Sequence, residues 1–132
     1  MVQVEQGLRY SRTHEWARIE GDVATVGVTD YAQSELGDIT YLELPQPGTQ
    51  VKQGEPMGVI ESVKAASDIY SPVSGEVIEA NQGVVDAPEK VNQSPYGEAW
   101  LVKIRLSDPS EVENLMDAAA YEQFLAEEAA AR

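Results

Sequence analysis

The chain has 132 residues, 42% of them hydrophobic, enough for one domain with a core. It has 23 Asp and Glu against 9 Lys and Arg, a formal net charge of -14, which repels nucleic acid phosphates and anionic membranes and suits docking to basic protein patches. It has no Cys, so a disulfide or a thiol of its own is excluded, and any redox sulfur must arrive on a cofactor.

Taken in order, Leu8 to Tyr10 reads as a short strand, and Trp16 as a core anchor leading into Ala17-Arg18-Ile19-Glu20. Gly21-Asp22 is a tight turn, and Val23 to Val28 is a strongly β-prone return. Thr29-Asp30 offers an N-cap for a short helix carrying Tyr31, Ala32, Glu35 and Leu36, with Gly37 as its stop. Ile39 to Leu44 alternates apolar and polar residues until Pro45-Gln46-Pro47-Gly48 ends it. A turn at Gln53-Gly54-Glu55 leads into a β-hairpin over residues 59–71 with Lys64 at its tip. The halves echo each other, GVIES before the tip and GEVIEA after it, which suggests a two-fold repeated β layout.

Glu76 to Glu79 is a further strand. Asn81 to Glu98 reads as loop with one helical turn near Glu89, and Trp100 to Leu106 as the last strand. Asp108-Pro109 then caps a helix with Val112, Leu115 and Met116 on one face, and Asp117 starts a second with Tyr121, Phe124 and Leu125 inward. These C-terminal helices cover about residues 109–130, and the tail AEEAAAR is expected to fray. The expected fold is mainly β, a sandwich or barrel-like sheet pair, as one unit over residues 1–132 with helices packed on it. No run is apolar enough to span a membrane, and the amino end has neither signal nor transit character. The expected compartment is the bacterial cytoplasm, or the mitochondrial matrix for a processed organelle protein.

No enzyme constellation stands out. His14 is the single histidine, and no GxGxxG, P-loop or HExxH occurs. A hydrolase built on His14 and Glu15 would lack a nucleophile and an oxyanion motif. One His and scattered carboxylates make a poor transition-metal site. Taken singly, Glu15, Glu35 and Glu61 read as solvated surface acids. Lys64 could be an ordinary loop lysine. Val63 and Ala65 framing it where loops usually carry Gly, Asn or Asp, and Glu61 three residues upstream, point instead to a lysine presented for modification.

Five blocks in order, GLRYSRTHEW, VATVGVTDYAQSELGDI, YLELPQPG, ESVKAASDIYSPVSGEVIEAN and VNQSPYGEAWLVKI, resemble the H proteins of the glycine cleavage system. The resemblance implies a lipoyl/biotinyl-type hybrid β-sandwich (barrel-sandwich hybrid) with a short internal helix and C-terminal helices. It implies that Lys64 carries lipoic acid in amide linkage and that the protein is a non-catalytic shuttle. The carried dithiolane accepts the aminomethyl group of glycine at the P protein and presents it to the T protein. The L protein, dihydrolipoamide dehydrogenase, reoxidises it. A lipoate-attaching enzyme is a further partner, for which Glu61 is the expected recognition residue. A cleft sheltering the cationic arm is bordered by Glu15. Glu35 stands where some relatives have His; as a second acid it either strengthens amine binding or faces water. A lipoyl domain of a 2-oxoacid dehydrogenase complex would carry DKA where this chain has VKA, plus linkers that this chain lacks. A biotin carrier would have methionines beside the lysine. A lipoyl-relay role on the same fold stays open.

Overall fold

The computed structural model describes residues 2–130. Among the described residues nine strands form two antiparallel sheets. β1 (Arg9–Tyr10), β2 (Glu15–Glu20), β3 (Val23–Val28), β5 (Gln50–Val51), β8 (Gly75–Ala80) and β9 (Val102–Leu106) make a six-stranded sheet in the order β1-β2-β3-β9-β8-β5. β4 (Ile39–Glu43), β6 (Pro56–Ser62) and β7 (Ala66–Tyr70) make a three-stranded sheet in the order β4-β6-β7. This two-sheet architecture with a few added helices agrees with the expected hybrid sandwich.

The period-2 pattern of the strands explains the layering, since alternate side chains face inward. Ala17, Val26, Val77 and Ile104 form a core under the large sheet, and Val28, Leu42, Ile60 and Ile69 form one under the small sheet. Leu44 and Met57 touch both, so the two cores are continuous. The echo GVIES/GEVIEA falls on β6 and β8, one strand in each sheet. Its two glycines serve the same purpose. A β-carbon on Gly58 would run into the Glu43 carbonyl oxygen, and one on Gly75 into that of Arg105. Each glycine lets a neighbouring strand come closer than any side chain permits.

The expected helix over residues 31–36 is α1 (Asp30–Leu36). The Thr29 hydroxyl caps it by accepting the Ala32 N–H, and Gly37 ends it at φ 83°. Three expectations need correction. The stretch from Asn81 to Glu98 holds two short helices, α2 (Gln82–Asp86) and α3 (Lys90–Gln93). Each has one fully buried anchor, Val84 or Val91, and a single anchor leaves no periodicity to read. The helix after Asp108 is a 3-10 helix (Pro109–Asn114) that stops before Leu115 and Met116. Met116 instead exchanges two backbone hydrogen bonds with Tyr10, both 2.8 Å, which pull it out of helical register. The helix extends into the tail expected to fray: α4 (Ala118–Ala130) includes Ala126 to Ala130, and residues 131–132 lie outside the described part.

α4 is anchored by a third core. The Tyr121 and Tyr10 rings stack with centroids 4.4 Å apart and planes 2° from parallel. Such contacts contribute about 1 kcal/mol beyond burial. Trp16, fully buried as expected, donates its indole N–H to the Pro95 carbonyl at 3.0 Å. That bond ties β2 to the segment after α3.

Candidate functional site

Lys64 sits exposed between β6 and β7, as the hairpin reading required, with Val63 beside it 71% exposed. The turn is fixed from within and from behind. The Ser62 N–H donates to the Ala65 carbonyl at 2.8 Å. The Ser62 hydroxyl accepts the N–H groups of Lys64 (3.3 Å) and Ala65 (3.1 Å). Val63 N–H donates to the Asp38 carbonyl at 3.1 Å, joining the tip to the link between α1 and β4. The lysine stem lies against the end of α1: a β-carbon on Gly37 would be 3.5 Å from Lys64 Cε.

That link rests on a residue the sequence did not point to. Asn92 on α3 accepts the Ile39 N–H at 2.9 Å and donates to the Gly37 carbonyl and to Gln33 Oε1, each at 2.9 Å. It fixes the seat under Lys64. An Asn between Pro88 and Pro95 is ordinary loop composition, so only the folded contacts reveal it.

Glu61 is exposed on the outer side of the small sheet, between Tyr41 and Ala66 in the strand register. It does not cap the hairpin; Ser62 does. Tyr41 is 45% exposed, and the carboxylates of Glu43 first and Glu61 second raise its phenol pKa. The face leading to the lysine is therefore negative.

Glu35 is exposed on α1 and borders a groove of about 350 Å³. Thr13, His14, Tyr31, Ser67 and Glu128 also line it. Ser67 is three residues past Lys64, so the groove begins beside the hairpin tip. Among the described residues no group of three or more His, Asp and Glu is arranged to hold a metal. No helix among them is long and apolar enough to cross a membrane.

Glu15 differs from its surface reading: it is 2% exposed. Its Oε1 accepts the hydroxyls of Ser11 (2.7 Å) and Thr13, and its Oε2 accepts the Tyr70 N–H at 3.1 Å. Burial pushes its pKa up from 4.5 to about 7, against the pull of the three donors. Glu15 thus clamps β7 of the small sheet to the loop before β2 of the large one. It lies behind Thr13, and Thr13 is what the groove exposes. Strand alternation places residue 15 on one side of β2 but carries no sign of the Ser11–Thr13 loop folding over it.

Comparison with known proteins agrees with this geometry. The family model described as glycine cleavage H-protein matches residues 8–128. A glycine cleavage system H protein of Rubrobacter xylanophilus is 63% identical over 108 residues, 82% of this chain and 86% of the relative. One of Symbiobacterium thermophilum is 50% identical over 127 residues, 96% of this chain and 99% of the relative. The crystal structure of a glycine cleavage system H protein from Mycobacterium marinum superposes with a TM-score of 0.83 at 35% identity, covering 89% of this chain and 95% of that one. With the match running through nearly the whole chain, and with its sheets in the same arrangement, this protein belongs to the glycine cleavage H-protein family.

Proposed function

We propose that Lys64 carries the lipoyl group and that the whole chain works as the carrier between the enzymes of glycine cleavage. The observation that supports this reading is the pairing of an exposed lysine with a turn held by hydrogen bonds from within and from behind. Ser62 and Asp38 hold the turn, the stem lies beside Gly37, and the tip is exposed among the described residues. A bulky acyl group on Nζ would meet open solvent on one side and the 350 Å³ groove on the other, so the residues present fit it. When attached, the lipoyl group supplies the disulfide that takes up the aminomethyl group at the P protein, yields it at the T protein and is reoxidised at the L protein.

The chain's own residues present, shelter and are recognised. Tethering raises the local concentration of the reacting end at each docked partner. Glu35, at the groove rim, faces the cationic end of a loaded arm. Glu15 acts through Thr13 and through its hold on β7, keeping the groove wall in place. Glu61 and the exposed Tyr41 and Val63 form the face that the lipoate-attaching enzyme reads. His14 is committed to packing and hydrogen bonds, which supports a carrier rather than a catalyst. Relatives from bacteria support a bacterial cytoplasmic setting.

Intact mass after incubation with a lipoate-attaching enzyme, followed by peptide mapping, tests the assignment. The adduct is expected on Lys64 and not on Lys52, Lys90 or Lys103. Lys64→Arg should stay folded and lose glycine-dependent CO2 exchange with the P protein. An adduct elsewhere, or exchange that survives Lys64→Arg, would overturn it.

A further inference from the structure

α4 reaches the groove that the arm would use. Tyr121 fixes its start: the hydroxyl lies 2.8 Å from His14 Nδ1 and 2.9 Å from Thr29 Oγ1. Seven residues on, two turns along the same face, Glu128 Oε2 lies 3.4 Å from His14 Nε2 and lines the groove. His14 is held firmly for this contact. Its backbone has φ 72°, a left-handed conformation rare outside glycine. Its ring lies between Tyr31, 4.6 Å away on α1, and Tyr121 and Phe124, each 5.8 Å away on α4. His14 therefore joins both walls of the groove and keeps Glu128 turned toward it.

We propose that Glu128 is a further binding residue of this groove, held by His14 and transferred to the cationic end of a loaded arm when that end enters. The inference rests on the carrier reading of Lys64. An imidazole pairs with a carboxylate as an ion only when doubly protonated, whereas a primary ammonium is a compact cation with three donors. With both present the ammonium takes the carboxylate. The exchange has a chemical consequence. Loss of the carried group to water begins when the nitrogen lone pair pushes out sulfur: the C–S bond breaks, the sulfur leaves as thiolate and gains a proton, and water completes release of formaldehyde and ammonia. A nitrogen kept protonated by Glu128 has no lone pair to push.

The test uses lipoylated full-length protein loaded with glycine by the P protein, with loading checked by intact mass. Failure to load would count against the carrier reading itself and is seen before the inference is tested. His14 is the single histidine, so its imidazole proton resonance is unambiguous. At fixed pH it should shift on loading in the wild type and stay put in Glu128→Gln. The loaded form should decay about threefold faster or more in Glu128→Gln. Glu127→Gln, the same charge change one exposed residue away, should decay as the wild type. A His14 signal indifferent to loading, or Glu128→Gln decay within about twofold of wild type, would overturn the inference.

Discussion

Replacing Glu15 with Gln gives the sharpest test of the clamp. Glutamine has nearly the shape of glutamate and can turn its amide oxygen to the Tyr70 N–H and its NH2 to the Ser11 and Thr13 hydroxyls, which also accept. What it removes is the charge. Below pH 4.5 the carboxyl is protonated in folded and unfolded chains alike, and its full contribution is present. Between 4.5 and about 7 the unfolded chain ionises while the folded one resists, so wild-type stability falls. Above 7 the loss is complete. The gap between the two pKa values, at about 1.4 kcal/mol for each tenfold step, makes it about 3 kcal/mol. Urea unfolding of both proteins at pH 5, 6, 7 and 8 isolates this effect, because the other carboxylates are common to both and cancel in the difference. Glu15→Gln should gain on the wild type steadily, up to about 3 kcal/mol at pH 8. A difference flat to within about 0.5 kcal/mol over that range would mean that Glu15 is not held in the buried site described.

Other substitutions test the seat, the strand contacts and the anchor. Asn92→Ala removes three hydrogen bonds, should cost about 2–3 kcal/mol in chemical unfolding, and should slow lipoyl attachment at Lys64; an unchanged attachment rate would disconnect the seat from the tip. Gly58→Ala and Gly75→Ala each press a methyl onto a backbone carbonyl and should cost about 3 kcal/mol or more. Gly21→Ala, with φ 64° but nothing within 4 Å of the new carbon, should cost only about 1 kcal/mol; equal losses at all three would show that conformation rather than crowding sets the effect. Trp16→Phe loses the bond to Pro95 and part of the ring, and a thermal scan should show about 2–3 kcal/mol of destabilisation.

The strands with strict alternation, the Thr29 cap, the Gly37 stop and the lysine hairpin were legible because each is written in a few adjacent residues. Their physical causes are local: a hydroxyl three residues before an amide, a glycine at positive φ, a turn between two apolar runs. The segments misread are those whose causes lie far along the chain. α2 and α3 exist because Val84 and Val91 drop into a core built by other strands. The helix stops before Leu115 and Met116 because Tyr10, over a hundred residues earlier, takes the backbone bonds of Met116. The exposed positions of Lys64 and Glu61 follow from the central block, but Glu15 reads from the residues as a surface acid, or by resemblance as a cleft residue, and neither reading foresees a buried clamp. Its burial depends on the Ser11–Thr13 loop and on β7, whose Tyr70 lies 55 residues further along the chain.

The fixed turn under Lys64 has a consequence for how partners are served. Because Ser62 and Asp38 hold the backbone of the turn, the hairpin would add little to the distance that a group proposed on Lys64 could travel; the travel would lie in the single rotatable chain beyond the α-carbon. On the proposed carrier role, a client enzyme would have to bring its own catalytic pocket within that one radius, so the choice of client would be made by how it seats against the carrier and not by any hinge within it.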